Sequence, residues 1–304
     1  MRLLKPLAVT TAASAFALVA LSPLVRITDS GLGCGEHWPL CNGHLIPPLD
    51  NVEVMIEWGH RLAAAAVSTL LLVMTGYAFL FRHTVRIAGK QGVLKLAILG
   101  CILLVVQILL GAITVWNSLP WAVTATHLAN AMVLLAVLSV AAFRALELPQ
   151  TSQGNRHHLF RAAVASVALG ASALLLGAIT ANTGAGPACQ GFPLCSGQIW
   201  PTAASSALPT VHWIHRLVAY GLFFHMLGLT IRVERQPTPA VVRTATRLTF
   251  GLTVLQIAVA VVMVLASLPT VWRSLHAVIA TALWVALIHL AWTTATIDPQ
   301  TSSA

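Results

Sequence analysis

The 304-residue chain is 58% apolar and only 8% charged, with a mean hydropathy of +0.84. So little charge cannot cover a water-facing surface, which excludes a soluble globular domain or a disordered chain and leaves the lipid bilayer as solvent. The formal charge of +9 would suit nucleic acid, but its distribution over alternate loops is accounted for by membrane topology, so no nucleic-acid partner is expected.

Crossing about 30 Å of hydrocarbon takes roughly 20 helical residues. Runs of that kind predict spans near residues 6–26, 57–81, 92–116, 120–143, 159–181, 210–232, 245–267 and 271–293. The first follows Met1-Arg2 as a secretory leader would. It is long, however, and no small-x-small cleavage site leads into a soluble domain, so it is expected to remain as a helix. Of the 17 Lys and Arg, all but Arg26, Arg61, Arg216 and Arg273 precede the first span or lie between, or within the facing ends of, spans two and three, four and five, or six and seven. Positive charge collects on the cytoplasmic side. Both termini are therefore expected in the cytoplasm of a cell with this chain in its plasma membrane, and the loops after spans one and five on the outer side.

Those two outer loops hold four of the five cysteines, Cys34 with Cys41 and Cys189 with Cys195. The outer side permits disulfides, while free thiols or metal ligation remain the alternative. Cys101, inside the third span, reads as a small apolar packing residue.

Shifting the chain on itself by roughly 150–155 residues aligns Pro-Leu-Cys41-x-Gly with Pro-Leu-Cys195-x-Gly and His60-Arg61 with His215-Arg216. It also aligns Leu119-Pro120 before His127 with Leu268-Pro269 before His276. The predicted fold class is an all-α integral membrane protein, eight transmembrane helices arranged as two tandem four-helix bundles. Four is even, so the halves share one orientation and a pseudo-two-fold axis along the membrane normal. The expected divisions are an N-terminal half, 1–147, a cytoplasmic linker, 148–158, with its Pro, Ser, Gly and Asn, and a C-terminal half, 159–304.

Counted from the outer ends, His60 and His215 lie one to two turns into spans two and six, and His127 and His276 at similar depth in spans four and eight. A lone histidine in a membrane helix is ordinarily a packing residue. Four at one level in two duplicated couples point instead to a metal or haem. Each couple offers two ligands and no further cysteine or carboxylate to complete a tetrahedron, and two axial ligands are what a porphyrin iron lacks. Arg61 and Arg216, with Arg26 and Arg273 weaker candidates, are placed to pair with haem propionates, or simply to reach the interface. His37, His44, His83, His157, His158, His225 and His289 read as structural or solvated. The halves differ one turn before the first ligand, where Glu57 stands against His212. A partly buried carboxylate beside His60 can serve in proton transfer, though a helix-start acid would look the same. The N-terminal half is thus the candidate reaction site and the C-terminal half the candidate electron-transfer site.

Leu-Val-Arg-Ile-Thr-Asp-Ser-Gly-Leu-Gly-Cys34, Trp-Pro-Leu-Cys41, Glu57-Trp-Gly-His60-Arg61, Leu-Leu-Gly-Ala-Ile-Thr before His127 and their second-half echoes resemble the heme A synthase family over essentially all eight spans. The resemblance implies an oxidoreductase that takes the C8 methyl of haem O, its substrate, through hydroxylated intermediates to the formyl of haem A. It implies His60 and His127 as ligands of the substrate haem, His215 and His276 as ligands of a resident haem b, and Glu57 near the reacting edge. It further implies outer-loop disulfides Cys34–Cys41 and Cys189–Cys195, the first also proposed to assist haem or electron transfer. The implied partners are a haem O synthase, a haem-copper oxidase, and an electron acceptor, a quinone or another carrier. Ser22-Pro23 stands where the family often has Gly-Ala, a departure that bears on local helix packing. A di-haem b-type electron-transfer cytochrome is the competing reading. A parallel-repeat transporter would need helix breakers at mid-membrane, and the prolines here cluster at helix ends and in loops.

Overall fold

The structure, a computed structural model, describes residues 3–48, 50–148, 150, 157–201 and 206–295. Among the described residues, eight helices are long and apolar enough to cross a membrane: α1 (Leu4–Leu21), α2 (Val52–Leu80), α3 (Leu94–Trp116), α4 (Trp121–Ala145), α5 (His157–Asn182), α6 (Leu208–Arg235), α7 (Ala240–Leu265) and α8 (Thr270–Thr294). The chain is a multi-pass, all-helical membrane protein. Among the described residues the only extended pairing is an isolated bridge in each cysteine loop, Cys41 with His44 and Cys195 with Gln198.

Helix ends follow local chemistry. The second helix begins at Val52, five residues earlier than its apolar run, because the Asn51 side chain accepts the Glu53 and Val54 amides. Glu57 therefore lies past the first turn. The first helix breaks at Ser22 and restarts as the short helix Pro23–Ile27, since Pro23 has no N–H to continue the ladder but suits a helix start. The α3–α4 and α7–α8 turns are built alike. Ser118 and Leu119 take positive φ, as do Ser267 and Leu268, and the Leu119 and Leu268 amides reach back to the Thr114 and Met263 carbonyls. Such a closure satisfies the last helical carbonyls, and the proline that follows caps the next helix.

The chain divides into two compact units, Met1–Leu146 and Glu147–Ala304. Most of the expected linker, 149 and 151–156, lies outside the described residues. In the first unit α1 packs on α2, α2 on α3, α3 on α4, and α4 returns to α1; in the second, α5, α6, α7 and α8 close the same ring. Each unit is a four-helix bundle whose core lies between all four helices.

Lipid tails are as apolar as leucine, so burial among these helices rests on close packing rather than on escape from water. Small residues permit it. Gly100 lets α3 approach Leu71 of α2 and Leu138 of α4, and Gly170 seats Leu287. One stripe of α3, Ile98, Ile102, Val105 and Leu109, is apolar and exposed, as suits a helix in an apolar solvent. Hydroxyls inside the bundles, Thr75, Thr114, Thr180, Thr246 and Thr253 among them, donate to their own helix four residues back, which satisfies them where no water reaches.

Candidate functional site

Each half gathers its chemistry at the end of the bundle that carries the cysteine loop. Cys34 is bonded to Cys41 and Cys189 to Cys195, the pairing that the family resemblance implies. Cys101 is a partly buried free thiol beside Thr75 Oγ1. Both loops contain a cis X-Pro bond, Trp38-Pro39 and Phe192-Pro193.

The paired His-Arg residues diverge, because neighbours on a helix point about 100° apart. The arginines turn to the loops. Arg61 Nη1 donates to the His37 and Leu40 carbonyls at 2.8 Å each, and Arg216 donates to those of Cys189, Gly191 and Leu194 at 2.6–3.0 Å. A planar guanidinium carries five N–H donors in a fixed fork against the three of a lysine ammonium, so it can hold several carbonyls and still bond the side chain one turn before it. Arg26, the weaker propionate candidate, sits in the short helix Pro23–Ile27.

The residue four before each arginine completes the clamp. In the first unit the buried Glu57 receives Arg61 Nη2 on Oε1 at 2.6 Å and the Cys34 amide on Oε2 at 2.8 Å. At the aligned place His212 Nε2 accepts Arg216 Nε at 3.2 Å, which leaves its Nδ1–H to donate to the Ala185 carbonyl at 3.1 Å. The two serve one geometric purpose with different electrostatics. Glu57 brings a negative charge into the N-terminal site, and His212 brings none.

The histidines turn inward. His60 and His127 lie within electrostatic range of each other across the first bundle, as do His215 and His276 across the second. All four are partly buried. Among the described residues no third His, Cys, Asp or Glu joins either pair as a metal-binding cluster, so each pair supplies two nitrogens and no more. The backbone makes room for the rings: a Cβ on Gly111 of α3 would stand 3.3 Å from His127 Cε1, and one on Gly177 of α5 would stand 3.1 Å from His215 Cε1. The Nδ1 atoms of His127 and His215 and the Oε1 of Gln256 are buried without a partner. Buried polar atoms are normally satisfied. Two imidazoles within one bundle and a glycine beside one ring of each pair fit a flat group that the paired histidines would hold.

Several neighbours of these rings were not singled out by the sequence reading. Ser22 Oγ lies 3.4 Å from His60 Nδ1, which puts the Ser22-Pro23 departure next to a candidate ligand. Gln107 Nε2 lies 3.0 Å from His127 Nε2, and Gln256 Nε2 lies 3.1 Å from both ring nitrogens of His276. Each glutamine stands twenty residues before its histidine in an otherwise apolar run. That repeated polar residue was the available signal. His225, read as structural, bonds the Ala162 carbonyl.

Comparison with known proteins bears on what such a pair of sites does. Residues 5–288 match the COX15-CtaA family model, described as "Cytochrome oxidase assembly protein". A protein of Alkalihalophilus pseudofirmus named "Heme A synthase" is 30% identical over 235 residues, 75% of each chain. Similarly named proteins of Bacillus cereus and Bacillus mycoides are 28% identical, each over 95% of this chain and 92% of their own.

Proposed function

From the premise that this chain belongs to the COX15-CtaA family of cytochrome oxidase assembly proteins, and within it to the heme A synthases, we propose that it oxidises haem O to haem A. The N-terminal unit holds the substrate, with His60 and His127 as its iron ligands. The C-terminal unit holds a resident haem b on His215 and His276. The observation that carries this reading is the pairing of the four histidines, two within each bundle, with Glu57 clamped by Arg61 one turn before the first pair and His212 clamped by Arg216 at the aligned place of the second.

With the oxygen atom drawn from water, conversion of the methyl to a hydroxymethyl would release two electrons and two protons, and conversion of the hydroxymethyl to the formyl two more of each. A haem b in the second half would supply a one-electron acceptor for that traffic. The residues of the first half bind, orient and take protons. Glu57 is one turn from His60 on α2, and its carboxylate is fixed by Arg61 and the Cys34 amide. Each carboxylate oxygen retains a second acceptor position, so Glu57 can receive a proton near the substrate edge while its orientation is held. Arg61 and Arg216, with Arg26, lie on the side where propionates would emerge, and in the first two that work is added to the clamping of a disulfide loop. The product would pass to a haem-copper oxidase and the substrate would come from a haem O synthase, with the membrane in question the plasma membrane, both termini cytoplasmic and the disulfide loops outside.

Incubating the purified protein with haem O and separating the extracted haems tests the activity. Hydroxylated and formyl haems are the expected products, and their absence under any electron acceptor would leave a di-haem electron carrier. His60→Ala or His127→Ala should abolish turnover while a low-spin haem b spectrum persists. His215→Ala or His276→Ala should remove that spectrum, and the reverse pattern would exchange the two halves.

A further inference from the structure

The contacts of Gln107 form a directed chain between α3 and α4. Asn130 Nδ2 donates to the Leu103 carbonyl at 3.0 Å and to Gln107 Oε1 at 2.7 Å. A backbone carbonyl only accepts. The Leu103 carbonyl therefore fixes which end of Asn130 faces α3, Asn130 fixes which end of Gln107 faces it, and Gln107 is left presenting its N–H to His127. At 3.0 Å from Nε2 that amide can only donate, so Nε2 carries the lone pair and Nδ1 the proton. Geometry on the two helices supports the arrangement: Gln107 and Gly111 share one face of α3, and His127 and Asn130 share one face of α4.

The second half keeps the glutamine and lacks its anchor. Gln256 reaches His276, but three residues after His276 stands Ile279, where Asn130 stands three after His127. The Oε1 of Gln256 is buried without a partner. One half thus has an oriented amide on its ligand histidine and the other a loose one.

We infer that Asn130 and Gln107 form an exchange latch on His127, a donor anchored to occupy the Nε2 lone pair whenever the iron of the haem does not. Amide and iron compete for one lone pair, so the latch stabilises the empty site and weakens retention. A substrate site must release its product in every cycle, whereas a resident cofactor is best held. This significance rests on the assignment of substrate to the N-terminal half; the latch itself does not. Gln107 and Asn130 are positioning residues, acting through His127.

The probe is iron protoporphyrin IX, loaded into full-length protein in two backgrounds: His215→Ala/His276→Ala, which leaves the first site, and His60→Ala/His127→Ala, which leaves the second. Transfer to excess apomyoglobin gives the release rate of each. One hydrogen bond shifts such a competition by roughly two- to tenfold. In the first background Gln107→Leu should slow release by about that factor and Asn130→Ile by somewhat less. In the second, Gln256→Leu should change little, and Ile279→Asn, which installs the missing anchor, should speed release. Nitrogen-15 spectra of histidine-labelled protein without haem should give His127 as the Nδ1–H tautomer, lost in Gln107→Glu. A low-spin spectrum from the intact second site in Gln107→Leu made on the otherwise unaltered chain verifies folding. Release from Gln107→Leu as fast as from its parent, or an Nε2–H tautomer at His127, overturns the latch. Rates as expected, together with native haem b isolated from the first site, would leave the latch standing and overturn the assignment of the halves.

Discussion

Glu57 illustrates how one residue acquires two duties. Its carboxylate is buried, ion-paired and bonded to the Cys34 amide, so substitution touches both structure and chemistry. Glu57→Gln keeps the shape but loses the charge that Arg61 faces. Oxidation of haem O should fall sharply while both haems still bind, and thermal unfolding should reflect a loss of about 1.5 to 3 kcal/mol, the scale of a hydrogen bond to a charged group. Wild-type turnover in this variant would reduce Glu57 to a fastener of the loop. Arg216→Lys is not conservative here, because an ammonium cannot reach three carbonyls and His212 Nε2 together. Faster reduction of Cys189–Cys195 by dithiothreitol than in the parent is the expected result.

At the scale of elements, glycines decide which surfaces can meet. A Cβ on Gly33 would stand 2.5 Å from the backbone carbonyl of Glu53, and backbone cannot yield as a side chain can. Gly33→Ala should lift the first disulfide loop from α2 and with it the Cys34 amide from Glu57, measured as loss of thermal stability together with loss of turnover. Gly59 lies inside the Glu-x-x-His-Arg motif, yet a Cβ there meets nothing within 4 Å. Gly59→Ala should leave activity intact and, by helix propensity, add up to about 1 kcal/mol. A large loss of activity in Gly59→Ala would mean that a bound group, rather than the protein, lies against that face.

For the whole molecule, two bundles of the same ring order predict two independent haem sites per chain. Pyridine haemochrome analysis of protein loaded to saturation should give two haems, falling to one when either histidine couple is replaced by alanine. A chain that lost both haems on removal of one couple would show that neither bundle forms its site alone. Thr249 Oγ1, which donates to Ala245 in its own helix and reaches the Ala286 carbonyl on α8, indicates how polar pairs hold a ring of apolar helices in register. Such pairs are modest individually, and packing among small residues carries most of the association.

The amino-acid sequence determined the solvent, the eight spans, the duplication and the four histidines, because each is a one-dimensional pattern: hydropathy over about 20 residues, charge in alternate loops, and motifs at a fixed offset. Glu57 was legible as the break in that repeat. Its bond to the Cys34 amide, the turn of Arg61 and Arg216 toward loop carbonyls, and the approach of Ser22 to His60 were not. They depend on where side chains of separate helices meet, and in a chain of nearly uniform apolarity hydropathy carries no record of which helix faces which. Gln107 and Gln256 stand at equal distances before His127 and His276, and the sequence alone treats them as equals. Only the fold distinguishes them, since Asn130 can orient Gln107 once α3 and α4 lie side by side, and Ile279 offers no donor to do the same for Gln256.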